Sequence, residues 1–355
     1  MKIKQTALLA FSVLTLATGS QLRAQATPQD TVIVAERLFD SKSGKMINNP
    51  VVLIRNHRIV SVQSGGALPT GATQVIRLDG MTLLPGLIDM HTHIDSDPIY
   101  GGYTNLQFSN SFWSVLAVPN ALKTLNAGFT TIRNVGSESW NDVGLNQAIE
   151  DGKVPGPRIV PAGYAFGATG GHCDSTFFPP SMNQKSPYNA DSPDEARKSI
   201  REIRKYGAQV IKICATGGVF SHNTEPGQQQ LSYIEMKAIA DDAHMYGLKV
   251  AAHAHGASGI KDAIRAGIDT IEHASLIDDE GIELARKNGT WLSMDIYNTE
   301  YTQAEGKKNG VLEDNLRKDR EVADLQREGF RKANKAGVKM VYGTDSGVYP
   351  HGDNG

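Results

Sequence analysis

Cysteine is scarce: the 355 residues contain two, Cys173 and Cys214, too few for a disulfide framework to stand in for a hydrophobic core. Both fall in the strand-rich second part of the chain, where buried free thiols are the plain reading and pairing stays open. An excess of one charge is missing too. The formal net charge is -2, which argues against the strongly basic surface of a nucleic-acid binder. Beyond the first 26 residues there is no long apolar run, so no later segment is expected to cross a membrane.

Those first residues have a pattern of their own. Lys2 and Lys4 precede the apolar run "ALLAFSVLTLATG", and "RAQA" follows, with Ala24 and Ala26 suited to signal-peptidase cleavage. The run is short for a hydrocarbon core of about 30 Å. A cleavable signal peptide over 1–26 is expected, and with it a periplasmic or secreted location. Cleavage would remove Lys2, Lys4 and Arg23 and no acid, three positive charges that take the net charge from -2 to -5.

From 27 to 85 the text reads as short strands. "TVIVAERLFD", "PVVLIRNHRIVSVQ" and "QVIRLDGMTLLPG" alternate branched and polar residues, with Asn56-His57 and Gly65-Gly66 as turns. A small β-sandwich-like domain is expected there, lacking the strands that would close it. From 86 to 355 apolar strands alternate with amphipathic helices. Candidate strands cover 86–94, 130–136, 158–166, 210–218, 249–256, 270–275, 290–297 and 339–347. Eight such units predict an α/β TIM barrel, with an open doubly wound sheet as the alternative. Two helices carry explicit signals: Ser192 and Ser232 each have a glutamate three residues on, and Gly207 and Gly247 stop them. The chain ends at Gly355, just after the eighth strand, and reads as truncated. The glycine pairs at 170–171 and 217–218 open no helix in a phosphate-binding spacing.

The chemistry collects at strand ends. In "PGLIDMHTH", His91 and His93 are two residues apart and so share a face, an arrangement suited to a divalent metal. A pair of core histidines would explain this doublet alone. It does not explain Lys212 in "VIKICATGG", His253 and His255 in "HAHG", His273 in "IEHAS" and Asp345 in "GTDSG", because ionisable groups at the ends of apolar strands need partners.

With these five motifs in this order, the chain resembles the amidohydrolase superfamily, in its metal-dependent dipeptidase and carboxypeptidase branch, akin to imidazolonepropionases and ochratoxin-type amidases. The resemblance implies that His91 and His93 bind one divalent ion and His253 and His273 a second. Lys212 would be carboxylated by carbon dioxide and bridge the two, and Asp345 would bind metal and handle protons. Zinc is the implied metal, although manganese or cobalt would suit the same ligands. His172 in "TGGHCD" is the candidate for holding the substrate carbonyl or carboxylate, with His255 in the substrate shell and Tyr233 and Arg133 lining the pocket. His57, His222, His244 and His351 match no ligand position and are expected on surfaces or loops.

The implied reaction is hydrolysis of dipeptides or N-acyl amino acids by a metal-bridging hydroxide, without a serine or cysteine nucleophile. A cyclic amide or an ochratoxin-like aryl amide are alternative substrates, and a secreted metal-binding barrel without turnover is the non-enzymatic alternative. The expected partner is a small molecule or dipeptide, and self-association stays open.

Overall fold

The computed structural model describes residues 30–355; the expected signal peptide lies outside the described residues. The chain divides into two compact units between Pro85 and Gly86.

In the first unit, β1 (Asp30–Asp40) pairs antiparallel with β2 (Lys45–Asn48) and β3 (Pro50–Arg55). β3 pairs antiparallel with β4 (Arg58–Ser64), and β5 (Gln74–Leu83) runs parallel to β1. Asn56 and His57 make the β3–β4 turn, both at positive φ, 48° and 62°, the conformation that a two-residue hairpin with the native twist requires. The described residues of this unit form a single five-stranded sheet, where a sandwich needs two layers.

The second unit alternates strands and helices: β6 (Leu87–Thr92), α1 (Asn110–Asn126), β7 (Phe129–Asn134), α2 (Asn141–Glu150), β8 (Arg158–Pro161), α3 (Pro193–Lys205), β9 (Val210–Cys214) and α4 (Tyr233–Met245). There follow β10 (Lys249–Ala254), α5 (Ala257–Ala266), β11 (Thr270–His273), α6 (Asp279–Asn288), β12 (Trp291–Ser293), α7 (Asn298–Glu305), α8 (Glu313–Lys335) and β13 (Met340–Val341). All eight strands pair in parallel, in the orders β6-β7-β8 and β13-β12-β11-β10-β9. Backbone bonds link the two sheets at both edges. Beyond β8, Phe166 N–H donates to the Lys212 carbonyl at 3.1 Å and Cys214 N–H to that of Phe166 at 2.9 Å. Beyond β13, His93 N–H donates to Ser346 at 2.7 Å and Asp345 N–H to His91 at 2.8 Å. β12 and β13 are shorter than their apolar text suggests, so Asp345 lies past the end of regular pairing.

Local chemistry explains the helices. Ser192 accepts from the Glu195 N–H at the start of α3, and Ser232 and Glu235 form a complete capping box on α4, satisfying N–H groups that lack intrahelical partners. Strand parity does the rest. Ile211, Ile213, Val250, Ala252, Ala254, Ile271 and Leu292 join the core with Ile200, Ile203, Met236, Ile239, Ile260 and Ile264 from the helices. The alternate positions Lys212, His253 and Glu272 face the opposite way and are equally buried.

Cys173 and Cys214 form a disulfide, with Cα atoms 5.7 Å apart across 41 residues. It ties the end of β9 to the loop after β8.

Because Ile271 is wholly enclosed between strands and helices, Ile271→Ala is expected to destabilise the protein by about 2 to 5 kcal/mol, read as a lower urea midpoint.

Candidate metal centre

The site is assembled where the strands of the second unit end. β6 brings His91 and, just beyond it, His93; β9 brings Lys212; β10 brings His253 with His255 following. β11 ends in His273, and the turn after β13 holds Asp345. His273 and Asp345 are left-handed, at φ 67° and 60°, a conformation that costs non-glycine residues about 1–3 kcal/mol and gathers at functional sites. For His273 the consequence is geometric. Regular alternation would turn it away from Glu272, whereas here its ring centroid lies 4.9 Å from that of His91, 4.7 Å from His253 and 4.8 Å from His255.

Acceptor-only partners determine the tautomers, because carboxylate and carbonyl oxygens cannot donate. His91 Nδ1 donates to Glu272 Oε2 at 3.0 Å, His93 Nδ1 to the Gly136 carbonyl at 3.1 Å, and His273 Nδ1 to Asp295 Oδ1 at 2.8 Å. Each neutral ring therefore presents Nε2 as a lone pair. His253 is reversed, with Nε2 donating to the Gly217 carbonyl at 3.2 Å, which leaves Nδ1 as its lone pair. Asp345 Oδ1 sits 3.3 Å from both His91 Nε2 and His93 Nε2 and is buried with no hydrogen-bond partner. Two imidazole lone pairs beside a carboxylate oxygen repel one another, a conflict that a cation relieves, and Lys212 Nζ lies 3.5 Å from His91 Nε2. The donor set fits a metal. Ligand-type atoms fall into two groups, His91, His273 and Asp345, and His253, His255 and His273. His255, expected in the substrate shell, is thus grouped with the ligands.

The electrostatics favour neutral rings at three of the histidines and not at His273, where burial is outweighed by the Asp295 and Asp345 carboxylates, which raise its pKa. Burial first, then the Lys212 cation, push His91 down to about 4. Burial and the neighbouring histidines push His253 and His255 well below the ordinary range. Neutral imidazoles are the ligand form. Burial lowers Lys212 to about 8, and its Nζ lies 3.5 Å from His91 Nε2. For Glu272, burial opposes the carboxylate, but Arg133, His91 and Lys212 together outweigh it and hold the group well below its usual range.

His172 stacks on His253 with centroids 4.1 Å apart, beside the ligand groups as its sequence position suggests. Its Nδ1 is 2.8 Å from Ser221 Oγ. Gly218 permits the approach, since a Cβ there would fall 2.4 Å from the His172 ring.

Other expectations change. Arg133, read as lining the pocket, is buried and spends its donors inside the sheet: Nε on the Met90 carbonyl at 2.6 Å, Nη1 on Thr270 Oγ1 at 2.8 Å and Nη2 on Glu272 Oε1 at 2.7 Å. It orients Glu272, and through it His91. Tyr233 occupies the first position of α4, 41% exposed, because a residue following the Ser232 cap starts the solvent side of the helix. His351, expected on a surface, is buried, with Nε2 donating to the His93 and Ser96 carbonyls at 3.2 Å. His57 and His222 are exposed, and His244 pairs with Asp269 at 2.7 Å.

The groups that orient the ligands are not among the expected site residues. Glu272 and Asp295 were accessible to the rule that singled out Lys212, since each is an ionisable residue in an apolar strand segment. Asn298, donating to Asp345 Oδ2 at 3.1 Å, and Gln326, donating to Asp295 Oδ1 at 3.1 Å, come from helices and carry no such signal.

Parallel strands that converge imidazoles, a buried lysine and a carboxylate at one end define a hydrolytic enzyme of the α/β class. Residues 82–355 match the amidohydrolase family, and the chain belongs to that family. It is similar to ochratoxinase from Aspergillus niger, 30% identical over 339 residues, covering 89% of this chain and 69% of the relative. Among solved structures it is similar to a Xaa-Pro dipeptidase with bound methionine in the active site, at TM-score 0.85 and 34% identity, covering 92% of this chain and 82% of the other. The A. niger ochratoxinase structure superposes at TM-score 0.81 with 28% identity, covering 93% and 78%. These neighbours imply a TIM-barrel fold. The protein is a hydrolase of amide or peptide C–N bonds, which removes the non-enzymatic alternative.

Glu272→Gln keeps the shape of the side chain but loses the charge that holds His91 Nδ1–H. Metal content by elemental analysis is expected to fall, with affinity about 10- to 100-fold weaker. Full retention of metal would remove Glu272 from the site.

Proposed function

We propose that the chain is an exported, binuclear metal-dependent TIM-barrel amidohydrolase that cleaves dipeptides or N-acyl amino acids. The observation that carries this reading is the buried, unpartnered Asp345 Oδ1 facing two imidazole lone pairs. His91, His93 and Asp345 would hold one ion and His253 and His273 the other, with Lys212 between them as a carbamate. When bound, divalent ions, zinc on this reading, lower the pKa of water and polarise an amide carbonyl.

The remaining steps belong to the chain's own residues. Burial and nearby cations favour the neutral Lys212 amine, which adds carbon dioxide and releases one proton to give the anionic carbamate. Asp345 is held by the Asn298 donor on one oxygen, which leaves the other to accept a proton from the attacking water and pass it to the departing amine. His172 contacts the substrate at its carbonyl or carboxylate, and His255, whose ring nitrogen is grouped with those of His253 and His273, borders the second ion's site. The Glu272–Arg133 pair keeps His91 oriented, while burial and the Lys212 cation keep it neutral. The "RAQA" leader pattern supports export, and similarity to a Xaa-Pro dipeptidase supports the dipeptide substrate. A second reading, an aryl amide of the ochratoxin type, is favoured by the 30% identity with ochratoxinase.

Metal-loaded protein assayed against dipeptides, N-acyl amino acids and aryl amides is expected to release amine from one of the first two classes. Turnover of aryl amides alone would select the second reading. Asp345→Asn is expected to lower kcat by about 10²- to 10⁴-fold while the histidine-bound metal remains. Wild-type rates in that variant would take Asp345 out of the chemistry. Reconstitution with 13C-bicarbonate is expected to give a carbamate carbon resonance that Lys212→Arg abolishes; its absence from active wild-type enzyme would rule out the carbamate.

A further inference from the structure

One fully buried cation stands outside the cluster. Lys318, on α8, has no exposed surface. Its Nζ donates to the Ser221 carbonyl at 2.8 Å and pairs with Asp314 Oδ2 at 3.0 Å. On the same helix, Asn315 Nδ2 donates to the Val219 carbonyl at 2.6 Å. α8 thus grips the loop after β9 from one side, although a lysine is seldom buried without a purpose-built partner. The gripped residue matters because the Ser221 hydroxyl is the one that meets His172 Nδ1 at 2.8 Å; it also lies 2.5 Å from Thr224 Oγ1.

We propose that Lys318 and Asn315 are positioning residues that act through Ser221 to set the plane of the His172 imidazole over His253. A stacked ring keeps its rotation about the Cβ–Cγ bond unless one nitrogen is tied, and Ser221 is that tie. Lys318 fixes the Ser221 backbone through its carbonyl, and the hydroxyl carried by that backbone is placed by the Gly218 carbonyl at 3.3 Å and Thr224 Oγ1 at 2.5 Å. The backbone on the other side is held as well: His172 N–H donates to Gln230 Oε1 at 2.9 Å, and the adjacent Cys173 is bonded to Cys214. The ring is left one free nitrogen, Nε2, in a defined direction for the substrate. This inference rests on His172 being the substrate-facing group.

The test is a set of double-mutant cycles on the metal-loaded enzyme with its best dipeptide: Ser221→Ala, Lys318→Met and Lys318→Arg, each in the native and the His172→Ala backgrounds, with kcat, KM and melting temperature measured. Ser221→Ala and Lys318→Met are each expected to lower kcat/KM about ten-fold in the native background. Neither is expected to have an effect once His172 is alanine, and Lys318→Arg is expected to recover part of the loss. Losses that add in both backgrounds, or an unchanged kcat/KM in Lys318→Met, would overturn the relay alone. An unchanged kcat/KM in His172→Ala would overturn the substrate-facing reading and the relay with it. If Lys318→Met melts below the assay temperature, the Ser221→Ala cycle, which deletes a single hydroxyl, decides on the same criteria.

Discussion

The lone pairs of His91 and His93 both face Asp345 Oδ1 at 3.3 Å, with Lys212 Nζ 3.5 Å from His91 Nε2, and much of the surrounding structure holds them there. His91, His93 and His273 are each locked in one tautomer by an acceptor on the far nitrogen, respectively Glu272, the Gly136 carbonyl and Asp295. Those acceptors need support in turn, because an unpaired buried carboxylate costs several kcal/mol. Arg133 supports Glu272, and Gln326 and Asn298 support Asp295. Orientation of the lone pairs is therefore a property of one network, and the resulting donor set could hold a metal ion.

The network is possible because the strands sort their residues so strictly. Apolar positions of β9, β10 and β11 pack against the helices, and the alternate positions carry Lys212, His253 and Glu272 inward. A helix-facing core of alanine and isoleucine supplies stability without taking up the inner face, which leaves that face free for chemistry. Where two-residue alternation would have sent a ligand the wrong way, the backbone departs from it. His273 turns into the left-handed region and joins the imidazoles from a position that parity assigns to the other side.

The loops after β8 and β9 are fastened to the strand ends by the Cys173–Cys214 bond and to α8 by Lys318 and Asn315. Loops are ordinarily the mobile part of an α/β enzyme. Here they are held at several points around His172.

Strand order, helix caps, the Asn56-His57 turn and the strand-end positions of His91, His93, Lys212, His253, His273 and Asp345 could all be read from the chain, because alternation and capping depend on residues two to four apart. The partners could not. Glu272 meets His91 across 181 residues, and Lys318 meets Ser221 across 97, separations over which no local pattern carries information. The same reason separates Arg133 from the pocket it was expected to line and puts His351 under the His93 loop. By itself the sequence determined which residues reach the ends of the strands. Which of them meet, in which tautomer, and whether Cys173 and Cys214 join were decided by tertiary structure, because only packing brings distant donors and acceptors within three ångströms.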